Sequence, residues 1–121
     1  MIKIYDFDFK DGEASASFEV NTSLFTDDMA LATLEFYSWD YENDFDDSHT
    51  PVDEVMKKYA LESIRSATFN SFNLHGVIRD FEGRDGFAKI DGSSGIKLLS
   101  VKRFEFDEED LDVAVKDLSN T

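Results

Sequence analysis

The chain has no cysteine and only one proline, Pro51, in 121 residues. Without thiols there is no disulfide framework, no thiolate metal centre and no cysteine nucleophile. Histidine is almost as scarce. His49 and His75 are the only two, and nothing in their spacing supports a zinc site. Positive charge is short as well: 12 Lys and Arg stand against 27 Asp and Glu, for a net charge of −15. A surface of that sign repels phosphates, so direct binding to nucleic acid is not expected. Long apolar runs are missing too. The chain opens MIKIYDFDFK, which alternates. That reads as neither a secretory signal nor a membrane span, and the cytoplasm is the expected location.

What is there is a foldable core. Hydrophobic residues make up 41% and include 12 Phe, too apolar and aromatic for a disordered chain. The length suits one domain, residues 1–121, which on folding hides roughly two-thirds of its unfolded surface. There is no internal repeat and no low-complexity tract. Charge is unevenly placed. Residues 1–54 carry 15 acids and 2 bases, 55–103 carry 5 acids and 9 bases, and 104–121 carry 7 acids and 1 base. Two acidic ends therefore flank a mildly basic middle. Either the segments neutralise one another in the fold or one face stays strongly negative, and both can hold.

The pattern of the chain predicts an α+β fold. In Ile2–Phe9 the row Tyr5, Phe7, Phe9 alternates with Asp6 and Asp8, the signature of a half-buried strand. Asp11-Gly12 is a hairpin turn signal, and Ala14, Ala16, Phe18 and Val20 continue the alternation. The wet face of this hairpin is acidic, with Asp6, Asp8, Glu13 and Glu19. Thr26 caps a helix from Met29 to about Ser38, with Asp27 and Asp28 favoured by the dipole at its start. That helix is apolar nearly all round and is expected to be well buried. Thr50-Pro51 with Asp53 and Glu54 starts a second helix over about 51–70. Leu74, Val77, Ile78 and Phe81 fit a short third helix over about 73–82, closed by Gly83. A second hairpin is expected from FAKI, DGSSG and IKLLSVKRFEF, and a last helix from about Asp107. The order β-β-α-α-(α)-β-β-α implies an antiparallel sheet of about four strands with helices on one face.

No catalytic signature emerges, and the chain reads as a non-enzyme with no cofactor and no metal. Asp40, Glu42, Asp44 and Asp46 alternate like half an EF-hand loop, but Phe45 and Pro51 fall where glycine and glutamate are required. Asp46-Asp47-Ser48-His49 holds triad residue types as sequence neighbours, which cannot converge as a triad must. Asp91-Gly92-Ser93-Ser94-Gly95 lacks the lysine and helix of a phosphate loop. A carboxylate-based metal-dependent enzyme remains an alternative, since 27 acids produce pairs everywhere. Lys89, Lys97, Lys102 and Arg103 read as partners for acids within the fold, and His75 as partly buried.

FYSWDYENDFDDSHTP, Phe36 to Pro51, is the unusual stretch: five rings among five carboxylates. Either its rings tuck into the core between two helices, or Asp40, Tyr41, Glu42, Asp44, Phe45, Asp46 and Asp47 form a recognition surface. In the second case the rings supply contact energy and the acids steer a basic partner. Asp6, Asp8 and the cluster Glu108, Glu109, Asp110 would support such a face. The expected partner is a basic protein surface, such as that of a nucleic-acid-binding protein. A homodimer is the other possibility, with acidity maintaining solubility.

The segments WDYEND, TPVDEVMKKYALESIRSAT, GFAKIDGSSGIKLLSV and FEFDEEDLDV together resemble a family of small acidic proteins of bacteria and phages, known as domain-of-unknown-function family 2528. The resemblance covers most of the chain and carries no chemical motif. It implies a prokaryotic or phage cytoplasmic protein without an assigned activity, and no residue roles to carry over. Small acidic α+β proteins of phages suggest by analogy an inhibitor of nucleic-acid-handling machinery, of which a DNA mimic is one form.

Overall fold

A computed structural model describes residues 1–36, 50–84, 86–105 and 111–116, the Phe36 side chain excepted. Its elements are β1 (Ile2–Phe9), β2 (Ala14–Asn21), α1 (Asp27–Phe36), α2 (Pro51–Asn70), α3 (Leu74–Glu82) and β3 (Ile96–Lys102). The three strands form one antiparallel sheet in the order β1-β2-β3, and α2 lies against all three.

β1 and β2 pair in the register that the alternation demands, with Tyr5 opposite Phe18 and Phe7 opposite Ala16. The tight connection puts Lys10, Asp11 and Gly12 in the left-handed region, at φ 49°, 57° and 89°. Ala14, Ala16, Phe18 and Val20 are fully buried beneath the helices. The small alanines let Phe9 of β1 reach Phe104 across the sheet, ring centroids 5.4 Å apart.

α2 begins as its sequence prescribes. The Thr50 side chain accepts from the Asp53 amide at 3.2 Å, and Asp53 accepts from the Thr50 amide at 3.0 Å. Val52, Val55, Met56, Tyr59, Ala60, Ser63 and Ala67 are buried along it. Tyr59 is the hub: its ring meets Phe25, Phe81 and Phe87 at centroid distances of 6.1, 6.0 and 4.8 Å. Within this face the Ser63 hydroxyl is fully buried and has no hydrogen-bond partner among the described residues. A buried hydroxyl without a partner costs roughly 1–3 kcal/mol. Ser63→Ala is therefore expected to stabilise the fold by about 1 kcal/mol, read as a rise in the urea midpoint with an unchanged m value. A lower midpoint would show that the hydroxyl is satisfied.

Three expectations change. α1 is capped by Thr26, whose hydroxyl accepts from the Met29 amide at 3.3 Å. It is not buried all round: Ala30 and Leu34 are buried, while Met29 is exposed. α1 packs against α2, and of its other described apolar residues Ala32 is exposed and Leu31 half-buried.

The second hairpin is only half formed. Its turn closes, with the Gly92 amide on the Ile96 carbonyl at 2.9 Å and the Leu98 amide on Ile90 at 3.0 Å. The arm Phe87–Ile90 forms no strand, and a single bridge beside it pairs Asp91 with Lys97, so three strands are present among the described residues where about four were expected. The Ala88 amide donates to the Tyr59 hydroxyl at 2.8 Å instead of to a ladder. A side-chain acceptor in the core thus outcompetes strand pairing.

The last helix is not seen where it was expected. Leu111–Lys116 is non-helical and exposed, and the flanking residues 106–110 and 117–121 lie outside the described residues.

Candidate functional site: the open edge of β1

The sheet has one face under the helices and one face bare among the described residues. Across the bare face run the rows Ile4–Glu19–Lys97, Asp6–Ser17–Ser100 and Asp8–Ser15–Lys102. One rim is therefore acidic and the opposite rim basic, with Ser15, Ser17 and Glu19 between. The Ser17 hydroxyl donates to Asp6 at 2.6 Å, which holds that carboxylate on the outer face. Lys102 on the far rim donates to the Gly12 carbonyl at 2.8 Å.

β1 is also an edge. Among the described residues β2 is its only strand neighbour. The Thr22 amide donates to the Met1 carbonyl at 2.9 Å, which fixes the antiparallel alternation. Lys3, Tyr5, Phe7 and Phe9 therefore exchange bonds with β2. Ile2, Ile4, Asp6 and Asp8 turn their N–H and C=O groups outward. Their side chains are exposed as well, Ile2 at 55% and Ile4 at 56%. An eight-residue strand with outward isoleucines, and outward backbone groups that have no strand partner among the described residues, is a template for strand addition.

A lock holds β1 in place. The Tyr5 hydroxyl donates to Asp53 Oδ1 at 2.5 Å, joining the strand to the first turn of α2. Burial, and then the bond to the Asp53 carboxylate, push the Tyr5 phenol above its usual range. For Asp53 burial works against ionisation, but the bonds from Tyr5 and Thr50 and the nearby Lys3 outweigh it and lower its pKa. A carboxyl lowered on folding adds stability above its unfolded pKa of about 3.9 and loses it as pH falls through the folded value. Wild type is thus expected to weaken progressively below about pH 5, and Asp53→Asn to flatten that acid limb while costing about 1 kcal/mol at neutral pH. Urea unfolding at stepped pH reads both. An equally steep limb in the variant would clear Asp53 of the effect.

A second polar cluster is architectural. Arg84 bonds Asp80 at 2.8 Å and Glu62 at 2.7 Å, and the Ser66 hydroxyl bonds Asp80 at 2.6 Å. The Ser66 bond, against some burial and helped by Arg84, lowers the Asp80 pKa. These groups clamp α3 to α2.

Of the residues expected to form the recognition surface, Asp6 and Asp8 sit together on the outer face of β1. Asp40, Tyr41, Glu42, Asp44, Phe45, Asp46 and Asp47 lie outside the described residues, as do Glu108, Glu109, Asp110, Trp39 and His49. His75 is exposed where partial burial was expected. Among the described residues no group of three or more His, Asp or Glu is placed to hold a metal, and no helix is long and apolar enough to cross a membrane. The alternation that places Asp6 and Asp8 outward puts Ile2 and Ile4 on the same side, where they are exposed, but does not by itself single them out as recognition groups. The Tyr5–Asp53 lock leaves no local signal, since its partners lie 48 residues apart.

No family model matches the chain, and no solved structure matches it. The chain is similar to "Protein ea10" of Escherichia phage lambda, 25% identical over 118 residues that span 93% of this chain and 95% of the relative. It is similar to the same extent to "Lambda prophage-derived protein ea10" of Escherichia coli O6:H1. The likeness runs nearly end to end in both proteins.

Proposed function

We propose that the protein is a non-catalytic binding module of phage type, which accepts a basic strand from a partner protein on the open edge of β1. The observation that carries this is the coincidence, on one strand, of outward backbone groups and outward Asp6 and Asp8. Backbone bonds would supply affinity and alternate side chains the selection. The complementary strand carries apolar residues opposite Ile2 and Ile4 and Lys or Arg opposite Asp6 and Asp8, where opposite charges stabilise and like charges repel. A second β1 placed with its aspartates against these is disfavoured for the same reason.

Proteins that handle nucleic acid are a ready source of basic surface. Inhibition of such machinery, with carboxylates standing in for phosphates, is the finer form of the proposal. The phage relatives support that setting without naming a target.

The test is affinity capture from bacterial lysate with three baits: wild type, Asp6→Lys/Asp8→Lys, and Ile4→Pro. The Ile4 amide points outward, so proline removes an edge donor and no ladder bond. Proteins released from wild type at moderate salt and at least about tenfold depleted on both variants are expected. A capture unchanged by both variants would sink the edge. Loss on the lysine variant alone would move the site from the strand edge to the carboxylates, as mimicry without strand addition requires.

A further inference from the structure

A groove opens beside Phe9, on the helix side of the sheet. Phe9 and Phe104 form its floor and Leu61, Ile64 and Phe69 of α2 its wall, around about 220 Å³. Phe69 is 75% exposed, and Phe9 and Leu61 reach water as well. Arg65 stands at the rim, but it is paired with Glu62 at 2.9 Å, so what the groove offers a ligand is apolar. A cavity of about 150 Å³ already admits benzene, which leaves room here for one large apolar side chain.

The groove lies along the edge of β1. Asp53, Leu61, Arg65 and Phe69 recur at intervals of four or eight residues, which sets them along one flank of α2. Asp53 is fastened to Tyr5 of β1, and Leu61 and Phe69 enclose Phe9 of β1. That flank therefore follows β1 from Tyr5 to Phe9. The opposite flank belongs to α3, which Ser66 and Glu62 hold through Asp80 and Arg84, and α3 in turn packs against β3.

Strand alternation decides what can reach the groove. In a strand laid on the β1 edge, the residues opposite Ile4, Asp6 and Asp8 point to the bare face. Those opposite Tyr5, Phe7 and Phe9 point to the helix face. The one opposite Phe9 is carried beneath Leu61 and Phe69. We infer that the groove is the selectivity pocket of the β1 edge, and that it takes a large aliphatic or aromatic side chain from the position of the partner strand opposite Phe9. This rests on the strand addition proposed for β1 and narrows its partner class. The partner strand is amphipathic, basic on the side of Asp6 and Asp8 and apolar on the side of the groove. Backbone pairing alone accepts almost any strand, and a pocket for an alternate side chain is what makes such an edge selective.

Two labelled peptides with capped ends test this by fluorescence anisotropy. One reads Leu-Lys-Val-Lys-Val-Ile, which in antiparallel pairing sets its Leu opposite Phe9 and its two Lys opposite Asp8 and Asp6. The other has Ser in place of that Leu. Each is titrated with wild type, Phe69→Ser and Ile4→Pro. Phe69 is exposed, so its variant keeps the fold, and circular dichroism checks that. The Leu peptide is expected to bind wild type at least about tenfold tighter than the Ser peptide. On Phe69→Ser the two are expected to fall within about twofold of each other, while Ile4→Pro weakens both. Equal affinities for wild type, with both peptides weakened by Ile4→Pro, would overturn the pocket and leave the edge standing. A preference for Leu that survives Phe69→Ser overturns the pocket too. Binding of neither peptide, or binding indifferent to Ile4→Pro, overturns the edge and the pocket with it.

Discussion

Replacing Tyr59 by alanine is expected to remove roughly 3–5 kcal/mol of stability, as deletion of a large buried ring does. The ring is fully buried and meets Phe25, Phe81 and Phe87, so its loss leaves a cavity walled by residues on three different segments. They cannot close together without α2, α3 and the 87–90 arm all shifting. A hydrogen bond goes as well, because the Tyr59 hydroxyl accepts from the Ala88 amide at 2.8 Å. A domain of this size is stable by only about 5–15 kcal/mol, so the variant is at best marginal at 37 °C. Tyr59→Phe separates the two contributions: it keeps the ring and is expected to cost about 1 kcal/mol. Urea titrations followed by circular dichroism measure both. A loss below about 2 kcal/mol for the alanine variant would mean that the cluster collapses around the void or packs less tightly than described.

Gly95→Ala is expected to cost about 2–4 kcal/mol, although it adds one methyl group. Gly95 sits at φ 95°, and a Cβ there would lie 2.9 Å from the Leu24 Cβ, 2.9 Å from the Phe25 amide nitrogen and 3.0 Å from the Asn21 carbonyl oxygen. Those backbone atoms are tied down. The Phe25 amide donates to Asn21 at 2.9 Å, and the Asn21 amide donates to the Gly95 carbonyl at 2.7 Å. The methyl group therefore meets atoms that cannot yield without breaking the junction of β2, β3 and the loop into α1. Gly12→Ala is the control. Its φ is 89°, but nothing lies within 4 Å of the added Cβ, so only the left-handed backbone cost of about 1–2 kcal/mol applies. Similar losses at the two positions would show that contact at Gly95 adds nothing. A clearly larger loss at Gly95 is the expected result.

The elements that the sequence predicted well are those whose determinants are local. The 1–21 hairpin follows from a two-residue period and an Asp-Gly turn. α2 follows from Thr50, Pro51 and Asp53 at the cap and a helical stripe behind them. α3 ends at Gly83 as the glycine indicates. The half-formed hairpin shows where local reading stops. Phe87–Ile90 has strand-like residues, yet the Ala88 amide is taken by a tyrosine 29 residues away. No window of sequence contains that competitor. α1 failed for a related reason: apolar residues all round permit full burial, but only contact with other elements decides how many faces are covered.

The candidate site divides in the same way. By itself the sequence determined the sign and uneven placement of charge, the two periods, the caps, and that Asp6 and Asp8 share the wet face of a strand, because side-chain direction along a strand alternates strictly. Only the tertiary structure decided that this strand is an edge with free backbone groups, that Tyr5 is fastened to Asp53, and that an apolar groove opens beside Phe104. Those three depend on which distant segments become neighbours, and that is settled by burying the whole core at once.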